Sequence, residues 1–232
     1  MRTVLLTGAS SGIGLATGLR LAKEGCEIYG IGRSFDESLD YPAGFHRFSC
    51  DITDSKALAK TLQDIRRMCN QPAPDIIIHC AGIGLYGLQE TLSTADLQAL
   101  IRTNLEAPVL ITTEFLSFMK QRKSGHIIFL SSVTARKSNT YGCAYGATKA
   151  GLLSFANSLF DEARKNGIKV TTLLPDMTKT NLYRNADFTA DDSACLFPED
   201  IADTIFYVLS CGDHLNVTEL TIQPQKHRIQ KK

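Results

Sequence analysis

The apolar positions of this 232-residue chain fall into short unbroken runs separated by longer amphipathic stretches. "TVLLT" (3–7) is the first run and reads as a buried strand. Behind it "IGLATGLRLAKEG" sets Leu15, Leu19 and Ala22 on one helical stripe, with Gly25 placed to end the helix. "CEIYGIG" (26–32) reads as a second strand, "FHRFSCDIT" (45–53) holds a third, and "PDIIIHCAG" (74–82) is a fourth. Between the last two, "SKALAKTLQDIRRMC" (55–69) reads as a helix. A helical stretch over 94–122 is expected to break near Pro108, since proline lacks the N–H that a helix interior needs. Strands at 125–132, 168–175 and 217–222 complete the pattern, with helices at 144–167 and 198–210. Asn-Gly stops the first of these helices, and Pro-Glu-Asp opens the second. Strands that are apolar at every position are covered on both faces, and strands alternating with helices make parallel sheets. The pattern therefore predicts a single α/β domain over 1–232: a doubly wound parallel sheet of about seven strands with helices on both faces.

One stretch resists this reading. Residues 176–197, "DMTKTNLYRNADFTADDSACLF", show no clear periodicity, and so late in an α/β chain they are a candidate substrate lid. The basic end at 224–232 reads as a short solvated tail. Formal net charge is 25 − 24 = +1, which gives no field to draw the whole chain to nucleic acid or an anionic membrane. No run approaches the ~18 apolar residues of a membrane span. Seven cysteines, odd in number and irregularly spaced without C-x-x-C, argue against a disulfide framework or structural zinc. With no signal peptide pattern at the N-terminus, the expectation is a cytoplasmic protein without a metal site.

Chemistry concentrates where strands end. The first strand runs into Gly8-Ala9-Ser10-Ser11-Gly12-Ile13-Gly14 and then a helix. Glycines let backbone approach a ligand, and the helix N-terminus favours an anion, so this is a phosphate cradle of the kind that binds dinucleotides. The second strand ends at Arg33-Ser34 with no acid at that point. A cation with a hydroxyl suits a 2′-phosphate, so NADP(H) is expected over NAD(H). Asp51, after the third strand, could accept from the adenine amino group or cap the following helix. Within "YGATK", Tyr145 and Lys149 stand one helical turn apart on one face. Spacing alone allows either a half-buried ring with a snorkelling lysine, or a phenol whose acidity the lysine tunes.

Taken together these features resemble the short-chain dehydrogenase/reductase family of the Tyr-x-x-x-Lys type, whose fold is Rossmann-like. "TGASSGIG" matches the cofactor loop, Asn104 in "NLEAP" the helix asparagine, and Pro175 and Thr180 in "PDMTKT" the nicotinamide loop. Ser132 lies thirteen residues before Tyr145, the usual separation. The resemblance covers roughly residues 3–220. It implies Asn104, Ser132, Tyr145 and Lys149 as catalytic residues. Tyr145 would be the acid/base, Lys149 would lower its pKa and hold the nicotinamide ribose, Ser132 would bind the substrate oxygen, and Asn104 would hold a water. The implied cofactor set is Gly8, Ser10, Ser11, Gly12, Ile13, Gly14, Arg33, Ser34, Asp51, Ile52, Cys80, Ala81, Gly82, Tyr145, Lys149, Pro175, Asp176, Thr178 and Thr180. The implied substrate pocket is Thr134, Gly142, Asp176, Met177 and Tyr183, with Tyr141 as a further wall.

The chain departs from the family in three places. Asn-Asn-Ala-Gly is here His79-Cys80-Ala81-Gly82, so the first asparagine's structural bonds must come from elsewhere, with His79 a candidate. Pro-Gly is Pro175-Asp176, where Asp176 is either a plain loop residue or a partner for a polar or cationic substrate group. The usual glycine-rich ending is missing. The expected protein is an NADP(H)-dependent carbonyl reductase or alcohol dehydrogenase, a homodimer or homotetramer. The alternatives are an NADP(H)-binding sensor or scaffold, and reduction of a C=C bond, which usually goes with a wider Tyr–Lys separation. The substrate is not readable; a lid carrying Lys179 and Arg184 would favour an acidic one.

Overall fold

The computed structural model describes residues 2–69, 71–186, 188–226 and 228–231; of 229–231 it describes the backbone alone. Met1, Asn70, Asp187 of the expected lid, and His227 and Lys232 of the expected tail lie outside the described residues. Seven strands form one sheet: β1 (Thr3–Thr7), β2 (Glu27–Gly32), β3 (Phe45–Ser49), β4 (Ile76–His79), β5 (Gly125–Leu130), β6 (Ile168–Pro175) and β8 (Glu219–Ile222). Their order is β3-β2-β1-β4-β5-β6-β8, with every neighbouring pair parallel.

The apolar runs are explained by alternation between two buried faces. Leu5, Ile77, Ile127 and Phe129 enter one core; Val4, Leu6, Ile76, Ile78, Ile128 and Leu130 enter the other. The first core is covered by α2 (Ser55–Met68), α4 (Ala107–Arg122) and α5 (Cys143–Ala163), through Leu62, Phe115 and Leu152 among others. The second lies under α1 (Gly12–Lys23) and α6 (Pro198–Ser210), through Leu21, Ile201 and Ile205. With both faces covered, a polar side chain in a central strand is costly unless it is paired. The strand order reverses between β1 and β4, the crevice where doubly wound sheets bind ligands.

Two expectations are corrected. The stretch 94–122 stays helical through Pro108, as α3 (Thr94–Ile101), a π-helical segment Arg102–Glu106, and α4. Pro108 removes one helical donor. The Ala107 N–H reaches back to the Arg102 carbonyl, so a wider turn absorbs the defect instead of a break. The expected solvated tail is also wrong in part. Backbone at β9 (Ile229–Lys231) pairs antiparallel with β7 (Phe188–Ala190) inside the lid region. Arg228 adds an ion pair to Asp191 at 3.8 Å. Among the described residues, no helix is long and apolar enough to cross a membrane.

Candidate active site

A cleft of about 220 Å³ opens at the C-terminal ends of β1, β4, β5 and β6. On one side lie Gly8, Ser11, Gly12, Ile13 and Gly14, with Arg33 from the end of β2. Gly8 (φ +69°) and Gly12 (φ +53°) hold left-handed backbone that other residues adopt at a cost. A Cβ on Gly8 would sit 2.8 Å from the Ala81 backbone, and one on Gly14 would strike the Gly8 carbonyl, so the loop is packed against β4 and against itself. The Ser11 side chain makes no capping bond to α1, which leaves the amides of the first turn to the cleft.

The other side carries Cys80, Ala81, Gly82, Ser132, Tyr145, Lys149, Pro175, Asp176, Thr178, Thr180 and Tyr183. Ser132, Tyr145 and Lys149 are all buried. Tyr145 and Lys149 share a face of α5, whose seat is fixed by the Ser131 hydroxyl donating to the Lys149 carbonyl at 2.9 Å. The Lys149 ammonium donates to the Leu130 carbonyl at 2.8 Å and lies 5.7 Å from the centre of the Tyr145 ring. Burial pushes the phenol up to about 12, and interaction with the Ser132 hydroxyl pulls against that. Burial likewise brings the ammonium down to about 8, with Cys80 opposing. The expected lowering of Tyr145 by Lys149 is not what dominates here: desolvation sets the direction, and the ammonium donates to the Leu130 carbonyl.

Asn104 sits in the π-helical segment, 1% exposed. Its amide clamps the Ile83 backbone, accepting from the N–H and donating to the carbonyl, each at 2.9 Å, and donates to Thr148 at 3.3 Å. Its neighbourhood includes Lys149: a Cβ on Gly82 would meet Asn104 Oδ1 at 3.5 Å and Lys149 Nζ at 3.6 Å.

Other expected residues fall elsewhere. The Asp51 carboxylate accepts from the Thr53 N–H and hydroxyl, which lowers its pKa, as does the nearby Arg33; Asp54, not Asp51, caps α2. Ile52 packs on the core, and Ser34 is exposed beside Arg33. Among the described residues, Ser10, Ser34, Asp51, Ile52, Asn104, Thr134, Gly142 and Met177 do not line the cleft. Met177 packs with Ala190 and Cys195 in a small cluster within 176–197. Gly142 precedes α5, and Thr134 lies in the short turn Val133–Ala135. Tyr141 is 54% exposed and not a wall of the cleft.

Two of the three departures have partners in the fold. His79 stacks on Phe129 (4.9 Å, 15°) and shares a hydrogen bond with the Thr112 hydroxyl at 3.0 Å; burial drives it to about 3, so it is neutral. The Cys80 thiol is pushed up to about 12, mainly by burial, which keeps it protonated. The Asp176 carboxylate accepts from the Met177 N–H at 2.8 Å and from Gln223 at 2.9 Å, which ties the loop after β6 to the end of β8.

Sequence reasoning passed over Ile83, Gly84, Leu130, Ser131 and Asn181, which line the cleft, and Tyr86, whose ring lies beside Tyr145 and Tyr183. Ile83, Gly84 and Tyr86 follow β4, where only the glycines gave a signal; Asn181 lies within the expected lid.

The sequence model of the short chain dehydrogenase family matches residues 2–190, and the chain belongs to that family of oxidoreductases. It is 32% identical to a serine 3-dehydrogenase of Rhizobium radiobacter, over 96% of this chain and 93% of the relative. It is 30% identical to an uncharacterised oxidoreductase of Staphylococcus haemolyticus, over 96% and 97%. Among solved structures, a metagenomic short-chain oxidoreductase in complex with NADP superposes with a TM-score of 0.80 at 26% identity, covering 97% of each chain. The serine dehydrogenase of Escherichia coli superposes at 0.83 with 25% identity, covering 96% of this chain and 97% of that one.

Proposed function

We propose that the protein is an NADP(H)-dependent oxidoreductase that interconverts a carbonyl and an alcohol on a small hydroxy acid, with Tyr145 as general acid and base. The observation that carries the reading is the meeting of Ser132, Tyr145 and Lys149 in one cleft with the glycine loop. The residues present fit a dinucleotide: left-handed Gly12 and the uncapped first turn of α1 offer amides to a phosphate, and Arg33 with Ser34 suits a 2′-phosphate. A solved relative in complex with NADP supports the same choice.

When bound, the nicotinamide supplies or accepts the hydride. The chain would do the rest. The Ser132 hydroxyl would hold the substrate oxygen beside the Tyr145 phenol, which gives that oxygen its proton in reduction and takes it in oxidation. The Lys149 ammonium would hold the ribose and add positive potential that favours phenolate, opposing the burial that raises Tyr145. Asn104 would keep the loop at 82–84 in place through Ile83. Arg184 lies in the cleft and offers a cation to a substrate carboxylate, in keeping with relatives named for serine. A homodimer or homotetramer in the cytoplasm remains the expected setting, with Ile101 and Leu110 exposed on α3 and α4 for such a contact.

Purified protein is expected to oxidise NADPH with short keto and aldehyde acids, and to bind NADPH at least tenfold more tightly than NADH. Arg33→Ala should remove that preference. Equal affinity of the wild type for both cofactors would refute the 2′-phosphate assignment. Tight NADPH binding with no turnover of any carbonyl, alcohol or enone would put a binding protein in place of an enzyme.

A further inference from the structure

Tyr86 follows β4 and takes part in none of the chemistry above. Its ring centre lies 5.6 Å from Tyr145 (43°), 5.8 Å from Tyr183 (30°) and 5.3 Å from Phe188 (70°). Tyr183 and Phe188, both in the lid region, are 5.6 Å apart. One ring thus packs both on the Tyr145 ring and on two rings of the lid region. Offset and edge contacts at these separations are attractive and directional, so they fix relative position as well as burying area.

The backbone around Tyr86 gives it little room to retreat. Asn104 pins Ile83 through both its N–H and its carbonyl. At Gly84 a Cβ would lie 2.6 Å from the Leu182 carbonyl and 2.7 Å from Tyr86 Cε2, so only glycine lets the lid and the ring close on this point. On the far side the Gly87 N–H donates to the Tyr141 carbonyl at 2.8 Å. Tyr183 and Leu182 line the cleft. The phenols of Tyr86 and Tyr183 are both raised, above all by burial, so neutral rings make these contacts.

We propose that Tyr86 is a positioning residue that sets the spacing between the lid ring of Tyr183 and the Tyr145 phenol, and so limits the cleft to compact substrates of a few carbons. The proposal deepens the reading of the protein as a carbonyl–alcohol oxidoreductase and rests on it. Replacing the ring by a smaller side chain lets Tyr183 and Phe188 settle back and opens the space over Tyr145. Replacing it by phenylalanine keeps the ring and the spacing.

The test compares kcat/KM for a short keto acid and for a phenyl ketone, each with NADPH, in wild type, Tyr86→Leu and Tyr86→Phe. The ratio of bulky to compact substrate should rise at least tenfold in Tyr86→Leu, chiefly through KM, and stay within twofold of wild type in Tyr86→Phe. An unchanged ratio in Tyr86→Leu, or an equal fall on both substrates, would overturn the proposal. Hydrogen exchange gives a reading that needs no turnover. Amides of 181–186 and 188–190 should exchange at least tenfold faster in Tyr86→Leu while 143–163 stay protected. Unchanged lid exchange also overturns it. A wild type without carbonyl turnover would instead sink the reading on which it rests.

Discussion

At the scale of single residues, the buried polar groups decide most of the chemistry, and they also set pH behaviour. Tyr145, Lys149 and Ser132 were legible because their spacing survives in the linear sequence. Tyr86 was not, because its partners lie far apart in the chain and one aromatic between glycines has no period to betray it. His79 was legible only as a departure; its stacking on Phe129 and its bond to Thr112 needed the sheet and α4 to be in place. Burial holds the His79 pKa at about 3, below the ~6.5 of an unfolded chain. As pH falls below ~6.5 the unfolded state takes up a proton that the folded state refuses, so stability is lost from there down towards pH 3. The slope for this one group approaches ~1.4 kcal/mol per pH unit. His79→Asn removes it. Denaturation free energies measured at pH 7 and pH 5 should therefore differ less in the variant than in wild type, and an equal loss in both would contradict the assignment.

At the scale of elements, the helices and strands that bury a continuous stripe were readable, and those held by partners distant in sequence were not. Pro108 was expected to break a helix, because proline removes a donor. The π-helical segment at Arg102–Glu106 reconciles that loss with continuity and places Asn104 against Ile83, an outcome that no propensity encodes. β7 and β9 are three residues each, too short for a pattern, and each exists only through the other. Their pairing fastens the stretch around 188–194, since Arg228 also donates its N–H to the Ala194 carbonyl and ion-pairs with Asp191. Removing residues 226–232 should loosen that region. We expect KM for the carbonyl substrate to rise roughly tenfold, which is about 1.4 kcal/mol, with kcat changed less. Unchanged KM would mean that the strap does not hold the substrate side.

At the scale of the whole molecule, two cores on the two faces of a seven-stranded parallel sheet make the sheet rigid enough to carry a site on its loops. The order reversal between β1 and β4 places the glycine loop beside Cys80–Gly82, and β5 and β6 bring Ser132 and Pro175 to the same end. This architecture was legible because alternation of strand and helix dictates it. The packing of residues 176–197 was not, because it depends on side-chain contacts between loops. The central claim is that Tyr145 is the group that moves the proton, and Tyr145→Phe tests it while keeping the ring. NADPH oxidation with a carbonyl substrate should fall on the order of 100- to 10,000-fold. NADPH at a hundred times its dissociation constant should still raise the melting temperature by roughly 5–10 °C, as in wild type. Full turnover in Tyr145→Phe, with cofactor binding intact, would contradict the account.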